Sequence, residues 1–234
     1  MTVPRIFQFD QITELTRGVA LPLAPIGDDV LAIIIEAIAN AWEHLTLRYA
    51  NKLNQGKEAE ISALLVSRLN ASLGKDVNLR LFVSSIDRGS ETVSFNGVKL
   101  EGRPDLLFTL TMQDTRFRLT GECKIIDIQN RKTLALYRDE GIARFVDGDY
   151  AWANREGIMV AYVRRGAKLD KDLLNGLQGF PKMNCTAQAM RPNGNPPIRP
   201  NALGTSTHER KFAYIHKTSA VPGQIELWHL WLEV

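Results

Sequence analysis

The sequence predicts an α/β fold: a mixed central sheet flanked by helices, with core order α-β-β-β-α-β, an extra N-terminal helix and late C-terminal strands. Three observations predict it. A run from about Lys57 to Leu73 spaces its apolar residues as a helix does and stops at Gly74. Three alternating segments between Glu91 and Ile126 are separated by turn residues, the pattern of antiparallel hairpins. A helical stretch from about Thr133 to Val146 then leads into "GIMVAYV", residues 157–163, which reads as a fourth strand.

Taken in order, Asp28 and Asp29 stand ready to cap a first helix, "VLAIIIEAIANAWEHLTLRYA", whose apolar residues lie on more than one side, as in a buried helix. Glu36 interrupts its most apolar run well short of a membrane span, and the N-terminus lacks the basic and apolar regions of a secretion signal. After the second helix, "ETVSF" reads as the first strand, Asn96-Gly97 as a turn, "VKLEGRPDLLFTLT" as the second strand and "RFRLTGECKII" as the third. Residues 168–180 read as helical, and 184–205 as a Pro/Gly/Asn-rich loop. "KFAYIHK" and "IELWHLWLEV" read as late strands.

A chain of 234 residues with 44% hydrophobic and 24% charged residues holds a full core without staples. The reading is a single domain over 1–234, with its core at about 57–163, a helical extension at 1–56 and a basic extension at 164–234. Two cysteines exclude a disulfide framework, no Cys/His spacing suggests structural zinc, and a cytoplasmic location without membrane contact is expected. Net charge is only +3, yet Arg164 to Lys211 holds nine basic and three acidic residues, so the C-terminal third has the balance a polyanion would meet.

Chemistry concentrates in the second hairpin. Centring its tip on Gln113-Asp114 pairs residues whose numbers sum to 227, which sets Asp105 opposite Glu122. Alternation sends Leu106, Phe108, Leu110, Phe117, Leu119, Cys123 and Ile125 to an apolar face. Asp105, Thr109, Arg118, Thr120, Glu122 and Lys124 go to a polar one. Two carboxylates this close need a cation between them or a shared proton, and a hard divalent metal with oxygen ligands suits them. Lys124, two residues on, would orient a water or stabilise charge on a phosphate. Glu209-Arg210-Lys211 repeats the E-x-K pattern without a preceding acidic strand and reads as chance.

"RPDLLF", sixteen intervening residues, then "ECK" resembles the signature of the PD-(D/E)XK nucleases, the restriction-endonuclease-like superfamily. The resemblance covers Lys57 to about Val163. It implies a restriction-endonuclease-like core and a Mg²⁺-dependent nuclease, with Mn²⁺ as a substitute, acting on DNA as a bacterial restriction or anti-phage component. Asp105 and Glu122 would hold the metal with the carbonyl of Cys123, and Lys124 would serve the attacking water. The helix glutamate of many members would be Glu58, nearer the centre of the apolar face than Glu60. Alternatives are a non-catalytic nucleic-acid-binding or scaffold subunit, and a ribonuclease.

Further candidates are Tyr137, Arg138 and Arg144 on the following helix, with Tyr137 also expected to pack with Leu134 and Phe145. His208, Arg210 and the loop arginines Arg191 and Arg199 are expected to contact nucleic acid. His44 and His229 read as hydrogen-bonded near the core, Cys123 as buried, and the first helix as buried or as a homodimer interface.

Overall fold

The structure is a computed structural model and describes residues 11–99, 102–165, 167, 169–173, 188–189, 203–214 and 221–234. Helices α1 (Asp28–Gln55), α2 (Glu58–Leu73) and α3 (Val77–Phe82) precede strand β1 (Val83–Asp87). Strands β2 (Leu106–Leu110) and β3 (Leu119–Ile126) follow. Then comes a helix, α4, formed by Leu134–Leu136, Tyr137–Ile142 and Ala143–Val146, its middle part wound as a π-helix. Strands β4 (Glu156–Val163), β5 (Gln188–Ala189), β6 (Leu203–His208) and β7 (Ile225–Glu233) complete one seven-stranded sheet of order β1-β2-β3-β4-β7-β6-β5. β3, β4 and β7 run parallel, and the remaining neighbours pair antiparallel, so the sheet is mixed as expected.

The C-terminal segment therefore enters the central sheet, since β7 pairs with β4 along eight residue positions. Both β3 and β4 are buried along their whole length, as parallel strands covered on two faces are. One face packs Leu106, Phe108, Leu119, Cys123, Val160 and Trp228 against the three N-terminal helices. The other packs Met159, Ala161, Leu227 and Trp231 against Tyr137, Ile142 and Phe145 of α4. Phe117, expected on the first of these faces, instead meets Trp152 edge-on at 5.4 Å in a third cluster beyond the end of β3.

Several expectations are corrected. The first strand is not "ETVSF" but Val83–Asp87, and residues 91–99 form a loop with an isolated β-bridge between Thr92 and Gly102. Its Asn96-Gly97 turn does form, with the Gly97 amide donating to the Ser94 carbonyl at 2.9 Å and Gly97 at φ 68°. Residues 211–214 are not a strand, and the rest of "KFAYIHK" lies outside the described residues. Of the helix expected at 168–180, only Leu169–Leu173 is described, as a π-helical turn, and most of the loop at 184–205 lies outside. The first helix is capped by Gly27, with Asp28 and Asp29 in its first turn at the positive end of the helix dipole. It continues through Glu36 for 28 residues. By length and apolarity it would qualify to cross a membrane, but half of its most apolar stretch is buried within the chain.

Arg164, just past β4, closes the end of α1. Its Nε donates to the Leu53 carbonyl at 2.9 Å and its Nη2 to the Gly56 carbonyl at 2.7 Å, placing a cation on the negative end of the dipole. This contact fixes where α1 stops and α2 begins. Arg164→Ala should lower stability by about 2 kcal/mol, the scale of hydrogen bonds from a charged donor. Urea unfolding reads this as a lower midpoint at unchanged slope, and an unchanged midpoint would contradict it.

Candidate functional site

β2 and β3 pair as Leu106 with Gly121, Leu107 with Thr120 and Phe108 with Leu119, the register expected from alternation. The pairing stops there, because Asp105 and the residues before it leave the sheet while β3 runs on to Ile126. A fork opens between the two chains. Along it the backbone amides of β3 have no strand partner, and two carboxylates take its place. Asp105 Oδ2 accepts from the Cys123 amide at 3.1 Å, and Glu58 Oε2 accepts from the Ile125 amide at 3.0 Å. An acidic residue from α2, 47 positions before Asp105, thus continues the ladder that β2 abandons.

Lys124 is the hub of the fork. Its Nζ lies 2.6 Å from Glu122 Oε1, 3.3 Å from Glu58 Oε1 and 3.1 Å from the Cys123 carbonyl. Arg144 of α4 brings Nη1 to 3.4 Å from the same Glu122 oxygen. The guanidinium is held by Tyr150, whose hydroxyl accepts from Nη1 at 2.5 Å and whose ring centre lies 5.2 Å from the guanidinium carbon. Arg88, at the end of β1, reaches within 4.0 Å of Asp105 Oδ1. Glu58 therefore joins the cluster and Glu60 does not, since Glu60 turns back to accept the Lys57 amide at 2.9 Å.

The polar face of β3 is not open to solvent at Glu122 and Lys124 but lies under α4. Glu122 is 2% exposed and Lys124 8%. Gly141 allows this close cover, because a Cβ there would lie 2.6 Å from Met159 Cε and 3.7 Å from Lys124 Cγ. Burial, helped by the nearby Asp105 charge, pushes the Glu122 carboxyl up to about 7 against the pull of Lys124 and Arg144. Asp105 is raised by burial too, partly offset by the Cys123 amide and Lys124. Burial alone would lower Lys124, but Glu122 and Glu58 hold its ammonium above the usual lysine range.

Among the described residues, no three His, Cys, Asp or Glu side chains form a cluster that would bind a metal by themselves. The donors of the fork nevertheless fit one. Glu122 Oε2 is buried without any hydrogen-bond partner, an oxygen left over in a place where unpaired acceptors are costly. Asp105 and the Cys123 carbonyl flank the same open edge of β3.

Of the basic residues expected to meet nucleic acid, His208 and Arg210 are placed otherwise. Arg191 and Arg199 lie outside the described residues. His208 is not in an exposed loop but on β6, fully buried, with Nε2 2.5 Å from Ser206 Oγ. Ser206 Oγ also meets His229 Nε2 at 2.6 Å, and His229 Nδ1 meets the Tyr137 hydroxyl at 2.8 Å, a polar chain that ties α4 to β6 and β7. Arg210 spends its guanidinium on the backbone carbonyls of Ala151, Trp152 and Asn154, near the amino end of β4. Sequence reasoning missed Arg88 because it missed β1, and missed Tyr150 because nothing in its loop marks it. No family model, curated protein or solved structure matches the chain.

Burial lowers His208 to about 4 and His229, with added repulsion from His208, to about 3. Both imidazoles refuse protons that the unfolded chain accepts below its ordinary value of 6.5. Their contribution to stability is thus whole above about 6.5 and shrinks as pH falls from there. Glu122 runs the other way: the folded protein keeps a proton that the unfolded chain releases above 4.5, a contribution lost as pH rises through about 7. NMR titration of the folded protein should find both histidines neutral at pH 5 and the Glu122 carboxyl titrating with a midpoint near 7. A histidine midpoint near 6.5 or a Glu122 midpoint near 4.5 would contradict the burial argument.

Proposed function

We propose that the chain is a metal-dependent nuclease of the PD-(D/E)XK type, with a restriction-endonuclease-like core, that hydrolyses phosphodiester bonds in DNA. The observation that carries this reading is the convergence of Asp105, Glu122, Lys124 and Glu58 on the fork between β2 and β3, with one Glu122 oxygen left unpartnered. Asp105, Glu122 and the Cys123 carbonyl would hold Mg²⁺, or Mn²⁺ in its place, since all three offer hard oxygen donors. A divalent ion so held supplies a polarised phosphate and a more acidic water.

The chain's own groups divide the remaining work. Lys124 is kept protonated by its two glutamates, so it acts as a charge that steadies the phosphate oxygens and orients the water rather than as a base. Glu58 holds that ammonium in the fork and anchors the Ile125 amide, which makes it a positioning residue. Arg144, still 39% exposed and held in place by Tyr150, offers a second cation toward the mouth of the site.

The test is incubation with linear, circular and single-stranded DNA and with RNA, each with Mg²⁺, Mn²⁺ or EDTA. DNA should be cut with either metal and not with EDTA. Asp105→Asn should slow cutting by about 10²-fold or more, at nearly unchanged urea midpoint, because asparagine keeps an oxygen for the Cys123 amide. This is a cleaner probe than Lys124→Ala, which would strand a buried Glu122 charge. An Asp105→Asn variant as fast as the parent would overturn the reading. Cleavage of RNA alone would make the protein a ribonuclease, and DNA binding without metal binding or cleavage would make it a non-catalytic module.

A further inference from the structure

Two loops leave the sheet beside Lys124, at the carboxyl ends of β3 and β4. The first, Asp127 to Lys132, is folded tightly on itself. Asp127 and Lys132 exchange backbone hydrogen bonds at 2.9 Å in both directions, and the Asp127 carboxylate accepts from the Asn130 amide at 3.3 Å and from its side chain at 2.7 Å. The second begins at Arg164, whose amide donates to the Ile126 carbonyl at 2.8 Å. Arg165 Nη1 donates to Gln129 Oε1, which ties the two loops together. Gly56, held by Arg164, brings Lys57 to the same end of the sheet, one residue before the Glu58 that reaches Lys124.

Among the described residues, three besides glycine have left-handed backbones: Ala151, and one arginine from each of these loops, Arg131 at φ 59° and Arg165 at φ 62°. Arginine has no short polar side chain to compensate that conformation locally, and glycine or asparagine would adopt it with less strain. Their side chains are what the positions gain. Arg131, Lys132, Arg165 and Lys57 are all exposed. Among the described residues none of them has an acidic partner within ion-pair distance, whereas Arg103, Arg116 and Arg138 all do. Acids on the same loop and helix are already committed: Asp127 within its own loop, Glu58 to Lys124, and Glu60 to the Lys57 amide.

We infer that Arg131 and Arg165, flanked by Lys57 and Lys132, form the surface on which the phosphodiester backbone of duplex DNA lies as it leaves the fork. The inference rests on the nuclease reading for the identity of the ligand and deepens it by assigning the direction of the substrate. Guanidinium groups without an acidic partner offer planar, bidentate donors to phosphate. Loops at the carboxyl ends of parallel strands form the crevice where open α/β sheets bind ligands. The surface lies at the opposite end of β4 from Arg210, whose guanidinium is taken by backbone carbonyls.

Binding of a fluorescent 20-base-pair duplex, followed in EDTA over a range of salt, tests it without cleavage. In Arg131→Asn/Arg165→Asn, asparagine tolerates the left-handed backbone. Loss of two phosphate contacts should make the slope of log affinity against log salt shallower by about 1.8 and weaken binding about 10- to 100-fold at 0.1 M salt. Arg131→Gly/Arg165→Gly should do the same, which covers a folding defect in either pair. Arg48→Gln/Arg80→Gln, on α1 and α3, should leave the slope unchanged. A parent that binds and cuts DNA, with both double variants at its affinity and slope, overturns this surface and leaves the nuclease reading standing. A parent that binds but cuts nothing, with the expected slope loss in both double variants, supports the surface and overturns the nuclease reading. A parent that neither binds nor cuts overturns both.

Discussion

Moving an ammonium or a carboxylate out of water costs on the order of several kcal/mol per ion, and β3 carries one of each, two residues apart, on the face that α4 covers. The cost is tolerable only because each charge is surrounded. Lys124 has three oxygens within 3.3 Å. Glu122 has two cations on one oxygen and nothing on the other. That asymmetry matters most, because a fully satisfied pair would be a structural ion pair, whereas a buried acceptor without a donor is an oxygen available to a cation or a store of strain.

The rest of the fold reads as the means of holding this arrangement. β2 is short and β3 long, so the ladder ends in mid-sheet and exposes two amides that only carboxylates from elsewhere satisfy. Arg164 fixes the join of α1 and α2 and so decides where Glu58 lands. On the opposite face, the π-helical turn and Gly141 let α4 approach Lys124, while Tyr137, His229, Ser206 and His208 lock that helix to the C-terminal strands. π-turns inside helices concentrate at functional sites, and this one precedes Arg144 by two residues.

The hairpin of β2 and β3 was legible because its two apolar runs alternate cleanly around one polar tip, which leaves a single register that buries both. Glu58 was legible from helical spacing, since only one of the two acids in that turn faces the sheet. β1 was not, because "VSSID" is five residues with three polar ones and gains its place from α3 and β2 rather than from its own pattern. "ETVSF" looked the better strand but is held by the aromatic cluster of Phe95, Phe212 and Trp152 instead. Cover over the polar face of β3 was equally hidden, since alternation tells which residues share a face and not what lies on it. His208 was misread because its neighbours Ser206 and Thr207 are polar, while the hydroxyl that meets its ring, Ser206 Oγ, lies on its own strand and is shared with His229 of β7.

Diffraction from crystals soaked in Mn²⁺, recorded at its absorption edge, shows whether the fork takes a metal. An anomalous peak is expected there, within about 2.5 Å of oxygens from Asp105 and Glu122 and of the Cys123 carbonyl, with Lys124 Nζ displaced from that carbonyl. A fork with no peak, and Lys124 still bound to the Cys123 carbonyl at millimolar manganese, would contradict metal binding there.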